Sequence, residues 1–188
     1  FLMRAALDKN DPWLVLALQK EMKERSVVMT QFCYACTVEA CMRLYTQGSS
    51  SPALDVLAEL RARKMQPSIF VYNKLLLYLI QIDDMSQVTN VLEIMRAENV
   101  QMQRYTYNVL ISAYCRASQP LVAEALFEEL VSDNNSDNFP VTDTFAPLIR
   151  YYCDANDHLS VARWLRRMKD SGVDLDLATF ASVVRLHI

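Results

Sequence analysis

The chain has 188 residues and a mass of 21.6 kDa, with 52% hydrophobic and 22% charged residues, a balance that excludes intrinsic disorder as its main state. Nineteen Lys and Arg face 22 Asp and Glu, for a net charge of −3 and a pI near 5.4, which is no electrostatic footprint for nucleic acid. Glycine occurs twice where an average composition supplies roughly thirteen, too few for a sheet protein with many tight turns, so the composition points to helices.

In chain order, Phe1-Leu2-Met3-Arg4 shows neither an initiator Met nor the parts of a signal peptide and reads as a chain entered mid-structure. The charge-free stretch from Ser26 to Val38 falls short of the roughly 18 apolar residues of a membrane span, so no span is expected. Cys33, Cys36 and Cys41 include one CxxC, but a four-ligand zinc site needs a second pair, and His158 and His187 are distant. All five cysteines are expected to be small buried helical residues in a reducing or organelle-matrix setting, with no metal and no cofactor.

The segment Val71-Tyr72-Asn73-Lys74-Leu75-Leu76 recurs as Thr106-Tyr107-Asn108-Val109-Leu110-Ile111, Thr144-Phe145-Ala146-Pro147-Leu148-Ile149 and Thr179-Phe180-Ala181-Ser182-Val183-Val184. Its aromatics lie 35, 38 and 35 residues apart, and Tyr34 precedes the first by 38. A second set of columns has helical-face spacing: Val15, Gln19 and Met22; Ala53, Leu57 and Leu60; Val88, Leu92 and Met95; Ala123, Phe127 and Leu130; Val161, Leu165 and Met168. Only Gln19 breaks it. The two longer intervals place their surplus in Gln47–Pro52 and Asp133–Asn138, both of loop composition.

Each unit is therefore predicted to be a hairpin, an A helix opening near the aromatic and a B helix ending near the Met or Leu of the second face. Pro67 and Pro140 mark links between units, Pro52 suits a first helical turn, and Gly172 sits where a positive φ is wanted. One helical-repeat domain over 1–188 is expected, with units 1–30 (partial), 31–68, 69–103, 104–141, 142–176 and 177–188 (partial), excerpted from a longer array.

A hairpin of this length opening with Val/Thr-Tyr-Asn-x-Leu-Ile resembles the pentatricopeptide repeat family. Tyr107 to Arg116 and Ala125-Leu126-Phe127-Glu128-Glu129-Leu130 carry the closest likeness, and Cys153 repeats the Cys115 slot. The resemblance covers essentially the whole chain, most strongly 69–188. The 34-residue tetratricopeptide repeat is the nearest rival, and the 35-residue intervals with the Tyr-Asn pair favour the former. The resemblance implies an all-α, right-handed α-solenoid of stacked hairpins that binds single-stranded RNA in mitochondria or plastids, one base per repeat.

It further implies that a base is chosen by the residue after the opening aromatic together with the last residue of the repeat, and is wedged by the residue two before the aromatic. Asn73 and Asn108 match the first slot and would read pyrimidines, but their partners Gln103 and Val141 complete no familiar pair. Ser68 and Asp176 keep the closing slot, opposite Ala35 and Ala146. The wedge slots hold Phe32, Phe70, Tyr105, Asp143 and Ala178, and the aromatics either stack on bases or pack between A helices. The RNA contacts implied are thus Asn73, Asn108, Asp176, Ser68, Phe70 and Tyr105.

Residues 120–160 hold Glu124, Glu128, Glu129, Asp133, Asp137, Asp143, Asp154 and Asp157 against Arg150 alone, a net −7 that opposes phosphate binding if it faces the A-helix groove. The basic runs Arg61-Ala62-Arg63-Lys64 and Arg163 to Lys169 lie late in B helices and read either as solvated helix ends or as phosphate contacts. The leading expectation is an organellar RNA-binding module for RNA processing, stability or translation. A scaffold subunit of an organellar assembly such as the mitochondrial ribosome, gripping protein or rRNA without base reading, is the alternative. No catalytic constellation lies in these residues, and an enzyme would need a nuclease or editing domain outside them.

Overall fold

In the computed structural model, residues 2–44, 51–133 and 138–186 are described, with the side chains of 51–53 excepted. The insertion at 47–50, Gly48, residues 134–137 and His187 lie outside the described residues. The described residues form eleven α-helices and no strand: α1 (Leu2–Asp8), α2 (Pro12–Glu24), α3 (Gln31–Leu44), α4 (Ser51–Ala62), α5 (Ile69–Gln81), α6 (Met85–Ala97), α7 (Arg104–Arg116), α8 (Pro120–Ser132), α9 (Thr142–Asp154), α10 (His158–Asp170) and α11 (Leu177–Leu186). No described helix is long and apolar enough to cross a membrane.

The chain divides into two compact units, Phe1–Gln101 and Met102–Ile188. In the first, α3 packs on its hairpin partner α4 and on the next A helix, α5, which in turn packs on α6. In the second, α7 packs on α8 and α9, and α9 on α10 and α11. Each unit is therefore a stack of helical hairpins in which every inner A helix touches both its own B helix and its successor.

The turns are made with almost no glycine. Asn10, Ser26, Lys64, Asp83, Asn99, Ser118 and Asn156 take φ between 53° and 58°, and Gly172 takes 69°. Short polar side chains tolerate this left-handed conformation by bonding locally, so Asn, Asp and Ser serve where glycine is usual. The next residue often caps the following helix: Asp11, Asp84 and Asp157 accept the backbone N–H groups of Leu14, Gln87 and Ser160 at 3.0–3.1 Å.

The opening aromatics Tyr34, Tyr72, Tyr107 and Phe145 are all buried, each at the fourth position of its A helix. Their hydroxyls tie hairpins shut: Tyr34 donates to Glu59, Tyr72 to Glu98 and Tyr107 to Glu129. Phe145 lacks a hydroxyl and instead packs near Phe127 and Trp164, with Phe127 at 4.9 Å from Phe145 and 4.8 Å from Trp164 between ring centroids.

Two positions depart from the sequence expectation. Trp164, not Leu165, is the buried residue of the α10 face, because its large ring fills the space beside Phe127 while Leu165 stays half-buried. Phe180, the aromatic of the last unit, is exposed, unlike the four opening aromatics before it.

Candidate nucleic-acid interface

The second unit contains a cleft of about 450 Å³ lined by Gln103, Arg104, Tyr105, Asn108, Asn138, Val141 and Asp143. It gathers one repeat's opening slot (Asn108), its closing slot (Val141), its wedge slot (Tyr105) and the wedge slot of the next repeat (Asp143). Helical spacing explains the grouping: Tyr105 and Asn108 are three apart on α7 and share a face, while Val141 and Asp143 sit at the start of α9, which packs against α7. Tyr105 is exposed and Asn108 half-buried, so one ring and one amide border the cleft.

The Asn108 amide is held from behind. The Val141 backbone N–H donates to Thr144 Oγ1 at 3.1 Å, and the Thr144 hydroxyl donates to Asn108 Oδ1 at 2.7 Å. Asn138 fixes the floor: its Nδ2 donates to the Met102 carbonyl at 3.0 Å and its Oδ1 accepts the Arg104 backbone N–H at 2.7 Å. The Arg104 guanidinium lies 4.7 Å over the Phe139 ring, and its buried Nη1 has no hydrogen-bond partner.

Farther along the same two A helices, a cleft of about 720 Å³ is lined by Arg116, Arg150, Tyr151 and Asp154 among others. The acidic residues of 120–160 are therefore divided. Asp143 and Asp154 do border A-helix clefts. Asp157 caps α10, Glu129 accepts from Tyr107, and Glu124 and Glu128 pair with Arg163 and Arg167 on the neighbouring B helix. Arg61 likewise pairs with Glu98, and Arg63 with Glu59. Arg61, Arg163 and Arg167 of the basic runs are thus ties between hairpins, to carboxylates 37 to 39 residues away in sequence, whereas Arg63 pairs with a carboxylate four residues back.

The remaining sequence-predicted residues are distributed unevenly. Ala35 and Ala146 are buried, so the slots opposite Ser68 and Asp176 present no side chain to solvent. Ser68 is half-buried, its N–H donating to Gln31 Oε1 at 3.2 Å, and Asp176 accepts the Thr179 N–H at 3.3 Å ahead of α11. In the first unit Phe32 and Phe70 are exposed wedge slots and Asn73 is half-buried. Lys74 lies 5.9 Å over the Phe70 ring and pairs with Glu39 at 3.1 Å. Burial would raise the Glu39 carboxyl, but Lys74, Arg43 and Arg4 outweigh it and hold it below its ordinary value. Sequence reasoning missed Thr144 and Asn138. The recurring Thr106, Thr144 and Thr179 just before the aromatics was a visible signal for the first; nothing in the loop composition marked the second.

Among the described residues no three His, Cys, Asp or Glu side chains are placed to hold a metal ion. The site is a polar, aromatic-edged groove suited to binding a planar, hydrogen-bonding group.

Stacked hairpins of about 35 residues with this slot arrangement define a helical-repeat protein. The PPR repeat family pattern matches residues 67–116, and the PPR repeat pattern matches 105–135 and 144–173, together more than half of the chain. The chain belongs to the pentatricopeptide repeat family. It is 26% identical over 113 residues to a mitochondrial pentatricopeptide repeat-containing protein of Arabidopsis thaliana, covering 60% of this chain and 14% of that one. It is 27% identical over 138 residues to a chloroplastic one from the same plant, covering 73% and 14%. The chain thus spans about a seventh of the curated relatives it matches.

Two solved structures share the fold. The pentatricopeptide repeat protein PPR10, in complex with an 18-nt psaJ RNA element, superposes with a TM-score of 0.74 at 24% identity, over 96% of this chain and 26% of that one. The PPR domain of Arabidopsis thaliana protein-only RNase P 1, in complex with tRNA, gives 0.80 at 17% identity, over 98% and 94%.

Proposed function

We propose that this chain is a segment of an organellar single-stranded RNA-binding repeat array that acts in RNA processing, stability or translation. The observation that carries the reading is the convergence of Tyr105, Asn108, Val141 and Asp143 on one cleft. Tyr105 supplies a stacking face for a base, worth about 1–3 kcal/mol, and Asn108 supplies the hydrogen-bonding edge. Arg104, with an unpaired buried N–H at the same cleft, supplies positive charge toward a phosphate. The RNA-bound relatives in fold and the mitochondrial and chloroplastic relatives in sequence support both the ligand class and an organellar setting.

Asp143 and Asp154 on the A-helix face favour the second reading, a scaffold that holds protein or structured rRNA without reading bases. Because Glu124 and Glu128 of α8 are neutralised by Arg163 and Arg167, the net −7 overstates the charge facing the groove, and RNA binding is the better-supported function. A filter-binding titration with a pyrimidine-rich 12-nucleotide strand separates the two. Submicromolar binding that weakens in Asn108→Ala is expected for base reading; micromolar or weaker binding, indifferent to that change, sinks it.

A further inference from the structure

We propose that Thr144, which belongs to the following repeat, locks the Asn108 amide in one orientation and so decides which pyrimidine the cleft accepts. The inference rests on the base-reading function above and adds a positioning residue to it.

The Val141 N–H can only donate, so the Thr144 oxygen accepts it and the hydroxyl proton is turned to Asn108 Oδ1. With Oδ1 occupied, the amide offers its Nδ2 donor away from Thr144, on the side bordering the cleft. Thr144 is fully buried, which makes the relay rigid. Val141 itself has an aliphatic side chain and can neither donate to nor accept from a base edge, so within this repeat the choice falls on the amide.

The next repeat shows what happens without the pair. Thr179 is the counterpart of Thr144, and Ala146 stands where Asn108 stands one repeat earlier. Thr179 Oγ1 is buried with no partner at hydrogen-bonding distance. A buried hydroxyl left unbonded costs free energy, so the threonine slot is built to meet an acceptor on the preceding A helix, and the orphan appears where that acceptor has been lost.

Uracil and cytosine present opposite patterns at N3 and at the 4-position: donor and acceptor in one, acceptor and donor in the other. An amide locked one way must discriminate between them, whereas an amide free to turn over satisfies both.

The test uses the full 188-residue chain in an Asn73→Ala background, so that Asn108 is the one amide in an opening slot, and measures binding of fluorescein-labelled 12-mers of uridylate and of cytidylate. The parent is expected to separate the two by about fivefold, the value of one hydrogen bond. Thr144→Val should bring the ratio to within about twofold, and Thr144→Ser, which restores the hydroxyl, should bring the discrimination back. Asn108→Asp, which leaves the Thr144 bond in place but faces the cleft with an acceptor, should reverse the preference, and it tests the lock even where Thr144→Val does not fold. An unchanged ratio in Thr144→Val, no reversal in Asn108→Asp, or a parent without discrimination overturns the lock. If Asn108→Ala changes neither affinity nor ratio, it is the base-reading function that fails instead.

Discussion

The Tyr72 hydroxyl donates to Glu98 Oε2 across 2.5 Å, joining the fourth residue of α5 to the residue that closes α6, and Arg61 of the preceding hairpin grips the other carboxylate oxygen. One carboxylate thus closes its own hairpin and fastens it to its neighbour. Burial would raise the Glu98 carboxyl, but the bonds from Tyr72 and Arg61 prevail and hold it below the ordinary 4.5, while burial and the same carboxylate push the Tyr72 hydroxyl upward.

A depressed carboxylate contributes its stability in full above its unfolded-state value and loses it as pH falls through the lower folded-state value. The thermal midpoint of the chain is therefore expected to fall as pH drops from about 5 toward 3, and Glu98→Gln should flatten that slope. Tyr72→Phe should cost about 1 kcal/mol at neutral pH. A pH profile identical in wild type and Glu98→Gln contradicts the assignment.

Glu124 is the corresponding hub of the second unit: it accepts from the Tyr152 hydroxyl at 2.7 Å and the Trp164 Nε1–H at 3.2 Å, and pairs with Arg163. Glu124→Ala strands the indole N–H of a buried tryptophan and should destabilise by about 1–3 kcal/mol in denaturant unfolding. Glu128→Ala, at a carboxylate more than half exposed, should cost no more than about 1 kcal/mol. Equal effects would show that the buried partners of Glu124 carry nothing.

Tyr105 separates base stacking from internal packing. The residue is 53% exposed, so Tyr105→Ala should weaken RNA binding by about 1–3 kcal/mol while the melting temperature stays within error. A lowered melting temperature with unchanged affinity would assign the ring to packing.

The cysteines should differ sharply in reactivity. Burial pushes the Cys41 thiol up to about 11 and the Cys115 thiol up to about 12, whereas Cys33 is the half-buried one of the five. Mass spectrometry after brief iodoacetamide treatment at pH 8 should find Cys33 labelled first, with Cys41 and Cys115 labelled only in urea. Early labelling of Cys115 would refute its burial.

Much of the fold was legible because local rules and a repeat period agreed. The columns headed by Tyr34, Tyr72, Tyr107 and Phe145 fix a helix phase, and a phase decides which residues turn inward. Even the shortage of glycine was informative, though the turns proved to rest on Asn, Asp, Ser and Lys in a conformation that composition alone does not assign to them. Leu165 misled because two adjacent residues of α10 were both apolar, and only the space beside Phe127 chose Trp164.

By itself, the order of residues determined the hairpins and their period, since helix phase and turn chemistry act over a few neighbours along the chain. The tertiary structure alone decided that Arg163 and Arg167 cancel Glu124 and Glu128, that Ala146 is buried, and that Thr144 holds Asn108. Those outcomes depend on side chains that meet across stacked helices, where distance in sequence no longer measures distance in space.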